Sequence, residues 1–293
     1  MSSRNNKARV RKPSNSADDL PEENTQPPQS PGLNFTVPTE FVDLPSRGLY
    51  YPKNHPLCGV DSIEMKHMTA KEEDILASQS LIKKGVTIDR LLESLIVDEN
   101  VQIRDLLVGD RNAITVAARI SGYGADYKTK FPCPACGIET DFSFDLLDAE
   151  IIGAGHNAED LNNELENVEV TDKGTFIITL PKSGHAVEIR LMTGVDEENL
   201  ETFRKRKEKK GLPESFLTDT LKAIIVGVDG VEDRDLIGKF VDVMPALDSK
   251  FLRSVYVELI PNIDMTQEFH CSSCDHRQDL EVPVTAEFFW PRQ

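Results

Sequence analysis

Apolar positions between residues 35 and 146 change period from two to 3.6 and back again. Ile63-Glu64-Met65-Lys66 alternates, which predicts a half-buried strand. Thr69-Ala70-Lys71-Glu72 has the form of a capping box, so a helix is expected from Ala70. Ile75, Leu76 and Ile82 supply its apolar side and Gly85 its stop. Ile88, Leu91, Leu92, Leu95 and Ile96 form one continuous stripe at helical spacing. A third helix is expected with Asp110 as its cap and Ile114, Ala117 and Ala118 inside, ended by Gly122 and Gly124. Alternation then returns in Tyr127, Thr129 and Phe131 and again in Phe142, Phe144 and Leu146. Between these two strands stands Cys133-Pro134-Ala135-Cys136, so a hairpin with two thiols at its tip is predicted.

From about residue 175 the pattern starts again. Leu180-Pro181-Lys182-Ser183-Gly184 echoes Leu44-Pro45-Ser46-Arg47-Gly48. Val187 through Thr193 echoes Ile63 through Thr69 at an offset of 124, with Asp196 three residues after Thr193. Gly211 stands where Gly85 stood, and Phe216, Leu217, Leu221, Ile224 and Ile225 repeat the helical stripe. Arg234-Asp235-Leu236 matches Arg104-Asp105-Leu106. Asp248 opens a helix as Asp110 does, and the offset of 138 continues through Phe269 to Cys271-Ser272-Ser273-Cys274. An ordered series of matches with slowly growing offsets reads as duplication. The expected fold is α+β, in two halves. Each half has a short strand unit, an amphipathic helical bundle and a CxxC β-hairpin.

The boundaries follow from composition. Residues 1–33 begin with Arg4, Lys7, Arg9, Arg11 and Lys12, continue into acids and prolines, and hold few apolar residues, so a disordered, solubilising tail is expected, with contact of its basic cluster to an acidic partner or nucleic acid as the alternative. Residues 34–147 make the first half and 174–293 the second. Residues 148–173 are acidic, with Gly153 and Gly155, and read as a linker or mobile loop in which Leu161 and Leu165 suggest a short helix.

The 293 residues carry a net charge of −17, which argues against a general nucleic-acid binder. No apolar run has the length of a membrane span and no signal peptide is evident, so a soluble, intracellular protein is expected. A cysteine without a motif partner, Cys58, suits a reducing compartment.

CxxC spacing lets two thiolates of one turn hold the same metal ion, but more than a hundred residues separate the two pairs. Duplicated halves packed about a pseudo-twofold axis bring equivalent turns face to face. Cys133, Cys136, Cys271 and Cys274 then make one closed, tetrahedral, structural zinc site. The plainer reading is buried free thiols or a disulfide. His270 and His276 flank the second pair as substitute ligands, and no thioredoxin-like context supports redox chemistry. Cys58, near His55 and His67, reads as a small buried hydrophobe before a nucleophile.

Arg204 to Lys210 is the one dense basic run outside the tail. It reads as the solvated end of a helix, where cations are favourable, and alternatively as a docking site for an acidic protein or nucleic acid. Phe288-Phe289-Trp290 either covers the cysteine hairpins or anchors a partner. No phosphate loop, HExxH, GxSxG or EF-hand pattern is present.

Leu44-Pro45-Ser46-Arg47-Gly48, Tyr51-Pro52, Met68 through Leu76, and Leu81-Ile82-Lys83-Lys84-Gly85 with Ile88 through Leu92 together resemble the baseplate hub family of T-even-type contractile-tailed bacteriophages. The CxxC hairpins share the resemblance, which covers most of residues 40–146 and, more loosely, 175–285. It implies a non-enzymatic protein of the tail baseplate, or a factor that helps assemble the hub. Its partners would be hub, tube-initiator or tape-measure components, and it would reside in the virion tail or, during assembly, in the host cytoplasm. Two other classes remain at this point. One is a zinc-ribbon nucleic-acid or transcription-associated adaptor using Arg204 to Lys210, the other a cytosolic enzyme using Cys58.

Overall fold

The capping box at Thr69 forms as its residues require. In the computed structural model the Thr69 N–H donates to Glu72 Oε2 at 3.0 Å, and the Lys71 N–H donates to Thr69 Oγ1 at 3.3 Å. The structure describes residues 36–153, 168–282, 288 and 289. The basic start of the chain, Leu161, Leu165 and Trp290 lie outside them.

Strand β1 (Thr39–Asp43) pairs antiparallel with β2 (Ser62–Lys66), and β2 turns Ile63 and Met65 into the core. Helix α1 (Ala70–Ala77) does not run on to Gly85. Ser78 adopts extended backbone and breaks it, and a separate helix α2 (Gln79–Lys84) ends on Gly85. Helix α3 (Thr87–Leu95) buries Leu91, Leu92 and Leu95 completely and packs against α1.

Helix α4 (Val108–Tyr123) begins two residues before Asp110, so Asp110 is not its N-cap. The Asp110 carboxylate is buried instead. It accepts the Ser46 N–H at 2.9 Å, the Ser46 hydroxyl at 2.5 Å and the Tyr51 hydroxyl at 2.8 Å. Tyr51 in turn accepts the Leu107 N–H, which satisfies the helix entry that a capping side chain would have served. Desolvation raises the Asp110 carboxyl above its ordinary pKa despite these donors.

Farther along, β6 (Val168–Val170), β7 (Phe176–Thr179), β8 (Ala186–Ile189) and β9 (Ile225–Val228) form an antiparallel sheet in that order. Helices α5 (Gly194–Lys209), α6 (Phe216–Ile224), α7 (Arg234–Val243) and α8 (Ala246–Leu259) accompany it. Thr193 and Asp196 make the expected capping contacts, with the Thr193 N–H on Asp196 Oδ2 at 2.9 Å. Asp248 repeats the behaviour of Asp110. Its helix opens at Ala246, and its carboxylate accepts the N–H groups of Lys182 and Ser183 at 2.7 and 3.0 Å. The stripe on α6 is only half used: Leu221 and Ile224 are buried, but Phe216 and Leu217 are exposed.

The segment read as a linker begins and ends in strands. Strand β5 (Glu150–Ile152) pairs with β10 (Asn262–Asp264), and β6 joins the four-stranded sheet. Residues 154–167 between them lie outside the described set.

Contacts knit the early and late parts of residues 37–293 into one unit. The Val108 N–H donates to the Met192 carbonyl and the Gly194 N–H to the Leu106 carbonyl. Arg111 bridges Asp89 and Glu197 at 2.8 and 2.9 Å. The rings of Tyr50 and Phe176 meet at 5.1 Å, and both belong to a core that spans the unit. The fold is thus mixed, with eight helices and small antiparallel sheets among the described residues. Among those residues no helix is long and apolar enough to cross a membrane.

Candidate metal centre

Two hairpins carry the cysteines. Strands β3 (Asp126–Pro132) and β4 (Glu139–Asp145) pair in full register, with Tyr127 opposite Phe144. At the tip the Cys133 N–H donates to the Ile138 carbonyl at 3.0 Å, and the Gly137 N–H returns to the Cys133 carbonyl at 2.8 Å. Gly137 sits at φ 72°, a left-handed position that glycine adopts without strain. Strands β11 (Thr266–His270) and β12 (Arg277–Glu281) build the second tip in the same way. There the Cys271 N–H donates to the His276 carbonyl at 2.9 Å and the Asp275 N–H to the Cys271 carbonyl at 3.0 Å. Asp275, at φ 55°, takes the left-handed position filled by glycine in the first tip.

The two tips meet. Sγ atoms of Cys133, Cys136, Cys271 and Cys274 all lie within 4.8 Å of one another. Cys133 faces Cys274 at 3.7 Å, and Cys136 faces Cys271 at 3.9 Å. These separations are too long for disulfides, and all four are free thiols. A tetrahedral metal with bonds of about 2.3 Å to sulfur sets its ligands roughly 3.8 Å apart, so the cluster fits such an ion. Cys133 and Cys271 are buried, whereas Cys136 and Cys274 reach solvent. Phe269 closes the apolar side against Phe131 and Phe142, at ring separations of 5.5 and 5.4 Å.

Two of the thiols are shifted in opposite directions. The backbone N–H of Ser273 is the largest influence pulling the Cys271 thiol down to about 6. The N–H of His276 favours the thiolate of Cys274, yet desolvation and the neighbouring sulfurs push that thiol up to about 12. Thiolates packed this closely would repel one another, and a dication is the countercharge that such a donor set would take.

The other sequence candidates lie elsewhere. His270 Nε2 turns to Asp275 at 3.5 Å, and the cluster holds cysteines alone. Cys58 is exposed, not a buried hydrophobe. His55 stacks on Tyr51 and accepts the Leu57 N–H on Nδ1, while His67 faces Glu40. The basic run ends α5 as expected, and part of its charge is paired internally: Arg204 and Lys205 with Glu201, Lys207 with Asp219. Phe288 and Phe289 are buried, with Phe288 against Tyr127 at 5.2 Å and its carbonyl accepting from Arg119, so these two rings belong to the core. Sequence reasoning missed the carboxylate sockets of Asp110 and Asp248. The paired Leu-Pro turns at Leu44 and Leu180, each holding the donors for one aspartate, were the signal.

What fold and site define together is a mixed α/β protein in which two hairpins distant in sequence share one all-thiol cluster. The chain belongs to the T4 bacteriophage base plate protein family, whose model matches residues 39–290. No curated protein and no solved structure matches it. Membership makes it a phage baseplate protein with a structural role in the tail, associated with other tail proteins.

Proposed function

We propose that the chain is a structural subunit of the hub region of the baseplate, acting through protein–protein contacts. It is built as two duplicated halves, 34–147 and 174–293 with the acidic segment 148–173 between, clasped by one zinc ion on Cys133, Cys136, Cys271 and Cys274. The observation that carries the reading is the convergence of two hairpins, 138 residues apart, on one set of four sulfurs. Duplication is supported by corresponding parts. Helix α8 begins 138 residues after α4, and β8 begins 124 after β2. The Met65–Ile96 bridge has its counterpart in the Ile189–Ile225 pair. Thr69 with Glu72 matches Thr193 with Asp196, and Asp110 in its Leu-Pro turn matches Asp248 in the other.

Zinc is favoured by an all-thiolate, four-ligand set. With every ligand position filled by protein the ion has no place for water or substrate, so its work is cross-linking. Metal analysis of the purified chain tests the clasp: one zinc per chain is expected, lost equally in Cys133→Ser and Cys271→Ser. Two zincs, or none, would refute it. The hub placement is tested by affinity purification of the tagged chain from infected cells. Recovery with hub, tube-initiator or tape-measure components is expected, and recovery with outer baseplate proteins alone would overturn it.

A further inference from the structure

Strand β1 has an open edge. The Leu44 N–H donates to the Asp61 carbonyl, and the His67 N–H donates to the Pro38 carbonyl. Bonding toward β2 therefore falls on positions 38, 40, 42 and 44, because successive residues of a strand turn their backbone groups to opposite sides. Thr39, Phe41 and Asp43 point theirs away from β2. Among the described residues those outward N–H and C=O groups have no partner, and β1 pairs with β2 alone. All three residues are exposed, Phe41 to 73%.

The second half closes the corresponding edge. Val42 faces Ile63 as Ile178 faces Val187, so β7 is the counterpart of β1 at an offset of 136. Ile177 stands where Phe41 does, and it is paired with Glu169 of β6. A tight turn joins β6 to β7: Gly174 takes φ 75°, and the Thr171 N–H donates to the Thr175 carbonyl at 2.9 Å. Pro38 occupies the place of Gly174. Its ring fixes φ near about −65°, so the same turn cannot form ahead of β1. The comparison with β7 rests on the duplication reading, whereas the open edge does not.

The edge is complementary to itself. Laid antiparallel against a second copy with Phe41 opposite Phe41, it sets Thr39 opposite Asp43 on both sides. Every outward group of β1 is then bonded. The exposed rings cover one another, and each Thr39 hydroxyl meets an Asp43 carboxylate. Centring the pair on Glu40 would put like charges opposite each other, and centring it on Val42 would set Phe41 against Asp43. The net charge of −17 opposes approach at long range, but salt at about 0.15 M screens it beyond roughly 8 Å.

We propose that β1 is a self-association edge, through which two copies of this chain join their β1–β2 sheets into one antiparallel four-stranded sheet about a twofold axis at Phe41. A strand of 5 residues is small beside the roughly 800 Å² per partner of a standard interface, so the dimer is weak and fills at high protein concentration.

Sedimentation equilibrium of the full chain over a concentration series tests the edge. The unaltered chain is expected to pass from monomer to dimer, and Phe41→Lys to weaken the dimer about tenfold. Thr39→Asp sets two carboxylates opposite each other and is expected to weaken it about threefold or more. Thr39→Lys, facing Asp43 of the second copy, should tighten it by a similar factor, since symmetry repeats the pair. Within one copy Thr39 stands opposite Lys66, so the two changes act on chain stability in the reverse sense, and loss of the dimer in Thr39→Asp cannot be unfolding. Benzoylphenylalanine at position 41 is expected to crosslink to residues 39–43 of a second copy. A monomer at every concentration, a dimer indifferent to all three changes, or crosslinks only to other parts of the chain or to a different tail protein would overturn the proposal. Zinc counted on the same samples separates the two readings: a dimer without zinc sinks the clasp alone, and one zinc per chain without a dimer sinks the edge alone.

Discussion

Asp110 holds Ser46 twice, by its backbone N–H at 2.9 Å and by its hydroxyl at 2.5 Å, across 64 residues of chain. The pair nails the first Leu-Pro turn to the start of α4. Truncation to Asp110→Ala strands those two donors and the Tyr51 hydroxyl in a buried site. Each unsatisfied group costs about 1–3 kcal/mol, so a loss of roughly 3–5 kcal/mol in urea unfolding is expected. Asp110→Asn keeps the volume and two acceptor directions and loses less.

Two aspartates respond to pH in opposite senses. Desolvation raises Asp110 in the folded chain, so on raising pH the unfolded chain gives up its proton first. Its stabilisation is present at low pH and falls as pH rises through the folded value. Burial also opposes ionisation of Asp196, but the Arg190 guanidinium at 2.6 Å and the Thr193 N–H prevail and hold it low. That contribution is present above the unfolded value and is lost as pH falls through the folded one. Urea midpoints followed from about pH 2 to 6 should therefore show a flatter acid limb in Asp196→Asn and a steeper one in Asp110→Asn.

The capping boxes, the α3 stripe and both cysteine hairpins were legible because each is written in a few consecutive residues. The socket of Asp110 was not, since its donors stand 59 and 64 residues upstream, and an aspartate before an apolar run looks like a cap. Nor was the pairing of β5 with β10, where three residues meet partners more than a hundred positions away. The meeting of the cysteines was inferred from repetition, and the sulfurs do converge. The α6 stripe misled for a physical reason: periodicity marks an apolar face but does not say whether the same chain covers it.

Two glycines should answer differently to alanine. A Cβ on Gly109 would lie 1.7 Å from the Pro261 carbonyl oxygen, so Gly109→Ala must push α4 away from the chain leaving α8. A loss of about 3 kcal/mol or more is expected. Gly238, inside α7, has nothing within 4 Å of such a Cβ. Gly238→Ala should gain up to about 1 kcal/mol from helix propensity, visible as a melting point higher by about 2–4 °C.

On the proposed zinc clasp, removing the ion is expected to cost stability and not merely mobility at the tips. Chelation is expected to lower the melting temperature by at least about 10 °C, since structural zinc contributes several kcal/mol to folding. Cys58→Ser, at an exposed position away from the cluster, should leave both zinc content and melting unchanged.

The placing of the two hairpins along the chain also sets an order of events on the ribosome. Cys136 is translated 138 residues before Cys274. At about 5–20 residues per second the first hairpin waits roughly 7–28 s for its partner. Throughout that interval the nascent chain displays a two-thiol half-site, able to hold an ion weakly or to be capped by an oxidant. The four-sulfur site is complete only once the second hairpin emerges, so an ion held in the proposed clasp would record that both hairpins have been made.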